Sequence, residues 1–233
     1  MKMLSSTVKL CWKMNTALNS SEYIYLHGFA SSPLSSKARY LGDRFARERI
    51  NLNILDLNQG NFSHLTLTRQ LEQVAACFPS PDTLVTIIGS SFGGLTAAHL
   101  AEKYSQVERL ILLAPAFGFI SHWLAQLGEE KLKQWQVEGY YQVYHYGKGR
   151  EVPLHFQFLE DLRQYEDSNL QRSVSTLILH GIKDDVIPIT SSRAYAQNRP
   201  WVELIELDSD HSLIDVMPQI WQQIQEFCQP KNY

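Results

Sequence analysis

Short apolar, β-favouring runs recur along the chain, with segments of helical period between most of them. That alternation restricts the fold more than any other feature. Residues 23–26 (YIYL) stop at His27-Gly28, and residues 51–57 end on the Asp56-Leu57 pair ahead of Gly60. Residues 84–88 (LVTII), 110–113 (LILL), 176–179 (TLIL) and 202–207 (VELIEL) follow. Helical spacing is predicted over 35–49, with Leu41 and Phe45 four apart, and from Leu67 to Phe78. It is also predicted over 93–104, and near the end through Leu213, Val216, Ile220, Ile224 and Phe227. Strands alternating with helices imply βαβ units and a mainly parallel sheet, the α/β class. Four of the runs are nearly unbroken apolar stretches, as expected when helices cover both faces of a sheet. The alternation within VELIEL suits an edge strand.

A chain of 233 residues fits one α/β domain spanning 1–233. With 44% hydrophobic residues, it has material for a large core. The net charge of −3, from 21 basic and 24 acidic residues, argues against nucleic acid as a partner. Cys11, Cys77 and Cys228 are odd in number and far apart. They point to unpaired thiols in a reducing compartment rather than a disulfide framework. No apolar run reaches the roughly 18 residues of a membrane span. Lys9 and Lys13 interrupt the N-terminal stretch where a signal peptide needs its apolar region. The cytoplasm is the expected location.

One segment breaks the rhythm. Residues 116–171 carry no clear strand–helix unit, yet hold 11 of the 26 aromatic residues. An insertion of that size after the fourth strand is expected to be a lid or pocket wall. Phe117, Trp123 and Trp135 are its candidate substrate-pocket residues. A helical subdomain that packs for stability alone is the plainer alternative.

Gly89-Ser90-Ser91-Phe92-Gly93 fits G-x-S-x-G between the LVTII strand and a predicted helix, the setting in which that motif carries a nucleophile. A serine on a sharp strand-to-helix turn needs small neighbours, which Gly89 and Gly93 supply. The helix start behind it offers N–H groups and a positive dipole end to a developing oxyanion. Ser90 lies one residue off the motif. A serine also needs a base and an acid that orients it. Asp184 and Asp185 follow the TLIL strand, and His211 follows VELIEL. The order Ser91, Asp184 or Asp185, His211 is the one used on the α/β-hydrolase sheet. Each candidate lies just past a strand's C-terminal end, where open α/β sheets place their ligand sites. The remaining histidines show no metal-ligand spacing, and the glycines form no nucleotide-binding fingerprint. His27 reads as a residue that shapes its turn.

The chain resembles the α/β-hydrolase superfamily from about Tyr23 to Phe227. The stretch Leu26-His27-Gly28-Phe29-Ala30-Ser31-Ser32-Pro33-Leu34-Ser35-Ser36-Lys37-Ala38 narrows the resemblance to small bacterial esterases of the YqiA/YcfP type. The resemblance implies an oxyanion hole from the backbone N–H groups of Phe29 and Phe92. It also implies Asp184 as the acid and His211 as the base. It further implies a serine hydrolase of small-molecule esters or thioesters that needs no cofactor and no metal. A serine peptidase and a haloperoxidase-like hydrolase share the nucleophile. A binding or scaffold protein on the same fold is the rival of another class.

Overall fold

A computed structural model describes residues 21–229. The N-terminal stretch considered above and Cys11 therefore lie outside the described residues. The elements run β1 (Ser21–Leu26), α1 (Ser36–Arg47), β2 (Leu52–Leu55), α2 (Leu67–Ala76), β3 (Leu84–Ser90), α3 (Phe92–Lys103) and β4 (Val107–Leu113). Then come α4 (Phe119–Leu127), α5 (Glu129–Glu138), β5 (Tyr140–His145), β6 (Arg150–His155) and α6 (Gln157–Leu162). The chain closes with β7 (Ser175–Gly181), α7 (Ile189–Ala196), β8 (Val202–Leu207) and α8 (Met217–Cys228).

Six strands form one sheet in the order β2-β1-β3-β4-β7-β8. Every pairing in it is parallel. VELIEL is an edge strand, as its alternation predicts. The pleat sends alternate residues to opposite faces. Tyr23, Tyr25, Ile88, Ile111 and Leu177 pack on Leu41 and Phe45 of α1 and Ile220 and Ile224 of α8. Ile24, Leu26, Ile87, Leu110 and Ile178 face a second core with Leu71 and Val74 of α2 and Leu100 of α3. Both faces are covered, which is why the central strands read as continuous apolar runs. Helix α3 is buried from Phe92 to Ala101, so no polar stripe marks it in the sequence.

Two expectations change. First, residues 116–171, which show no clear strand–helix unit in the sequence, hold helices α4, α5 and α6 and the antiparallel β5–β6 hairpin. The hairpin turns over Tyr146-Gly147-Lys148-Gly149, where Gly149 takes a positive φ of 63°. Pro153 inside β6 hides the strand signal, because proline lacks the N–H of a ladder donor and is confined to edges. β4 and β7 are hydrogen-bonded neighbours, so the whole segment is an excursion from the sheet. Second, Leu213 does not belong to the last helix. It is fully buried in the β8–α8 loop at φ 55°, and Pro218 in the first turn of α8 marks the real start.

Trp135 ties the excursion together. It is 1% exposed, and its indole N–H donates to the Leu154 carbonyl at 2.9 Å. Trp135→Ala is expected to lower the unfolding free energy by about 3–5 kcal/mol, read from urea denaturation. A loss under about 1 kcal/mol would mean that α5 and the hairpin are not packed as one unit.

Candidate active site

All six sheet strands run the same way, so their C-terminal ends share one edge. His27-Gly28 leaves that edge after β1, Ser91 after β3, Asp184 after β7 and His211 after β8. The fold thus gathers residues that lie up to 184 positions apart in the chain.

Ser91 sits on the turn between β3 and α3 with φ 54° and ψ −119°. That conformation costs a non-glycine residue on the order of 1–3 kcal/mol and needs neighbours that enforce it. Its N–H donates to the Leu113 carbonyl at 2.9 Å, and its own carbonyl accepts from Gly94, Leu95 and Ala116 at 2.8, 3.2 and 3.1 Å. The flanking glycines are required by clearance. A Cβ on Gly89 would lie 2.4 Å from the Gly93 carbonyl oxygen, and one on Gly93 would lie 2.3 Å from that of Leu26.

The Ser91 hydroxyl is 3.0 Å from His211 Nε2, and His211 Nδ1 is 2.7 Å from Asp184 Oδ2. A carboxylate only accepts, so Nδ1–H donates to it and Nε2 turns its lone pair toward the serine. The Asp184 side chain is fully buried and the His211 side chain is 21% exposed. Oδ1 of Asp184 accepts from the Val186 and Ile187 N–H groups at 2.9 and 2.8 Å. His180 Nε2 lies 3.1 Å from Oδ2 and 3.0 Å from the Ile187 carbonyl, so it too carries a proton. Burial alone would raise the Asp184 pKa. The hydrogen bonds from His180 and His211 override it and hold the carboxyl well below the usual range. Asp185 is exposed and lines the cavity instead of contacting the imidazole.

Phe92 opens α3, where the first N–H groups have no partner within the helix. Phe29 lies in the β1–α1 turn. That turn packs directly on Ser91: a Cβ on Gly28 would sit 3.3 Å from Ser91 Cβ. Among the described residues, the Phe29 N–H makes no backbone hydrogen bond. His27 accepts from the Leu57 N–H at Nε2, 3.1 Å away, which leaves Nδ1–H to donate to the Gly28 carbonyl at 2.9 Å. Both ring nitrogens are occupied in holding the turn.

Ser91 and His211 open onto a cavity of about 1070 Å³. One wall comes from the excursion, with Phe119, Trp123, Tyr141 and Tyr144; the other comes from the β1–α1 turn and the start of α1. Of the three aromatic residues expected in the pocket, only Trp123 lines it. Trp135 is buried behind it, 5.3 Å between ring centroids. Phe117 is stacked on Tyr195 at 4.0 Å. Sequence spacing does not distinguish a wall residue from the packing that supports it.

The family model of an uncharacterised protein family, UPF0227, matches residues 22–229. The chain belongs to UPF0227. No curated protein matches it. Among solved structures, a candidate hydrolase from Agrobacterium vitis S4 superposes with a TM-score of 0.79 at 22% identity, over 91% of this chain and 89% of that one. Est1E from Butyrivibrio proteoclasticus, solved with ferulic acid bound, gives 0.72 at 17% identity over 88% of each chain. Mouse alpha/beta hydrolase domain-containing protein 10 gives 0.65 at 20% identity, over 88% and 90%. The fold is therefore the α/β-hydrolase fold. No described helix is long and apolar enough to cross a membrane.

Sequence reasoning passed over His180 and Lys37. His180 is not singled out there, although its i, i+4 spacing to Asp184 is readable in the sequence. Lys37 was one letter of a family motif. The Asp184 hydrogen bonds predict a pH signature. Its depressed pKa stabilises the fold above the ordinary carboxylate range, and that contribution fades as pH falls toward the depressed value. Asp184→Asn is expected to cost about 2–4 kcal/mol at pH 7, with the gap to wild type narrowing as pH drops from 7 to 3. Urea midpoints across that range check it; a constant gap would contradict it.

Proposed function

We propose that the protein is a serine hydrolase that cleaves carboxylic esters or thioesters of small to medium acyl groups through an acyl-enzyme. The observation that carries this reading is the hydrogen-bonded series Ser91–His211–Asp184 at the mouth of the cavity. Ser91 Oγ attacks the acyl carbonyl while His211 Nε2 takes its proton. The carbonyl oxygen becomes an oxyanion that accepts from the Phe29 and Phe92 N–H groups. Collapse expels the alcohol or thiol, which leaves with the proton from His211. Water then repeats the sequence on the acyl-serine and releases the acid. Asp184 keeps the imidazole in one tautomer and stabilises its charged form. These steps use only the chain's own groups and water.

The lid reading of residues 116–171 belongs to the same proposal. Trp123, with Phe119 and Tyr141 on the same wall, would receive the acyl chain. Each buried methylene contributes roughly 0.8 kcal/mol. The acyl-length profile of kcat/KM is therefore expected to rise and then fall as the pocket fills. Trp123→Ala should move the optimum to a longer chain, while Trp135, behind the wall, should leave its position unchanged in a conservative Trp135→Phe variant. A flat profile in wild type, unmoved by Trp123→Ala, would return the segment to a packing role.

The nucleophile and acid are tested with a short p-nitrophenyl ester. Ser91→Ala should abolish turnover and Ser90→Ala should retain it. Asp184→Asn is expected to lose about 10⁴ in kcat, and Asp185→Asn tenfold or less, about 1.4 kcal/mol. A severe loss confined to Asp185→Asn would move the acid by one residue. Full activity in Ser91→Ala would remove the reading.

A further inference from the structure

One charged group beside the triad has no part in the chemistry above. Lys37 lies in the first turn of α1. Its ammonium donates to the Ser212 carbonyl at 2.9 Å and reaches the His211 carbonyl at 3.5 Å. It therefore bridges two segments 174 residues apart, one of them the loop that carries the proposed base. That loop has few other side-chain ties near the imidazole. Asp210 bonds within it, accepting from the Ser212 N–H at 2.8 Å and from the Ser212 hydroxyl at 2.5 Å. Ser209 bonds to Asp215, also within it. Neither joins the loop to α1.

We infer that Lys37 is a positioning residue: its ammonium pins the backbone of His211 and Ser212 to helix α1 and so holds the imidazole between Ser91 and Asp184. The inference deepens the proposed hydrolase and rests on that reading for its catalytic consequence. The physical need is clear. The His211 side chain is 21% exposed and sits on a loop, whereas Ser91 and Asp184 are fixed by strained backbone and by burial. A loop histidine that swings by about 1 Å loses the geometry of proton transfer. An ammonium with three donors suits this place, since carbonyl oxygens are its natural acceptors.

The groups around the ammonium decide how the tie responds to pH. Asp184 from the β7–α7 loop and Asp210 from the β8–α8 loop favour its charge. Asp185, His211, Tyr25 of β1 and Arg39 of α1 line the same cavity. Burial outweighs the two carboxylates and draws the Lys37 pKa down to about 8. The charged tie is then lost as pH rises through about 8, not at the usual lysine value.

The test compares Lys37→Met, Lys37→Gln and Lys37→Arg with wild type. One readout needs no turnover: the low-field proton resonance of the short His211 Nδ1–H to Asp184 hydrogen bond, recorded also in the Ser91→Ala background. Lys37→Met should broaden or remove that resonance, and Lys37→Arg should restore it. In ester hydrolysis, Lys37→Met should lower kcat tenfold or more with KM changed less than about threefold. Lys37→Arg should recover most of kcat and abolish any fall in rate near pH 8, because arginine does not titrate there. A variant that melts cooperatively with an unchanged resonance and unchanged kcat would overturn the inference. Lys37→Gln is read by the same criteria if Lys37→Met does not fold. The two failures are distinguishable. If Ser91→Ala hydrolyses as fast as wild type, the hydrolase reading falls while the resonance still reports on Lys37. If Ser91→Ala is dead and the resonance ignores Lys37, only the positioning role falls.

Discussion

The backbone of Ser91 is the constraint on which the rest depends. Its φ of 54° is not a conformation serine adopts unaided, and the surrounding structure imposes it. The neighbouring strand β4 takes its N–H, and the start of α3 and the turn after β4 take its carbonyl. Gly89 and Gly93 leave the clearance that lets α3 and the end of β1 close on it. The strain thus consumes part of the packing energy of the central sheet, and in return one hydroxyl stands clear of the backbone at the sheet's edge. The same tight approach recurs across the site. A Cβ on Gly181 would fall 2.3 Å from the Ser209 carbonyl oxygen, so the loops that carry Asp184 and His211 are held against each other by backbone contact.

Phe29 links this rigid centre to the aromatic excursion. Its N–H is a proposed oxyanion donor, while its ring touches Phe62, Phe92, Phe119, Trp123 and Phe158 at centroid distances of 5.3 to 6.0 Å. The ring belongs to a packed aromatic core, and the backbone of the same residue adjoins Gly28, which packs on Ser91. A change in how α4 or α6 packs would therefore be transmitted to the proposed oxyanion donors through one side chain. This gives the aromatic richness of residues 116–171 two physical functions: part of it walls the cavity, and part holds the wall in register with the sheet.

Much of this was legible in the sequence because the informative features are local. Apolar runs of strand length, the G-x-S-x-G turn and the residues just past TLIL and VELIEL each carry their signal within a few positions. Parallel topology then brings the strand ends to one edge, where order places Ser91, His211 and one of Asp184 and Asp185; the choice of Asp184 came from the family resemblance. What was not legible depends on long-range packing. Pro153 concealed β6, Leu213 matched the period of a helix it does not join, and Phe117 and Trp135 carry the same letters as a pocket wall while packing behind it. His180 and Lys37 act through partners that no spacing rule names, a second donor to a buried carboxylate and a cation on loop carbonyls.

The proposed hydrolase requires Ser91 to be an activated nucleophile. The direct measurement is the site of covalent attachment after brief exposure to a fluorophosphonate, found by mass spectrometry of the digested protein. A single adduct on Ser91, absent when His211 is replaced by alanine, is the predicted result. An adduct on Ser90 or elsewhere, or none in a folded sample that still hydrolyses esters, would contradict a nucleophilic Ser91.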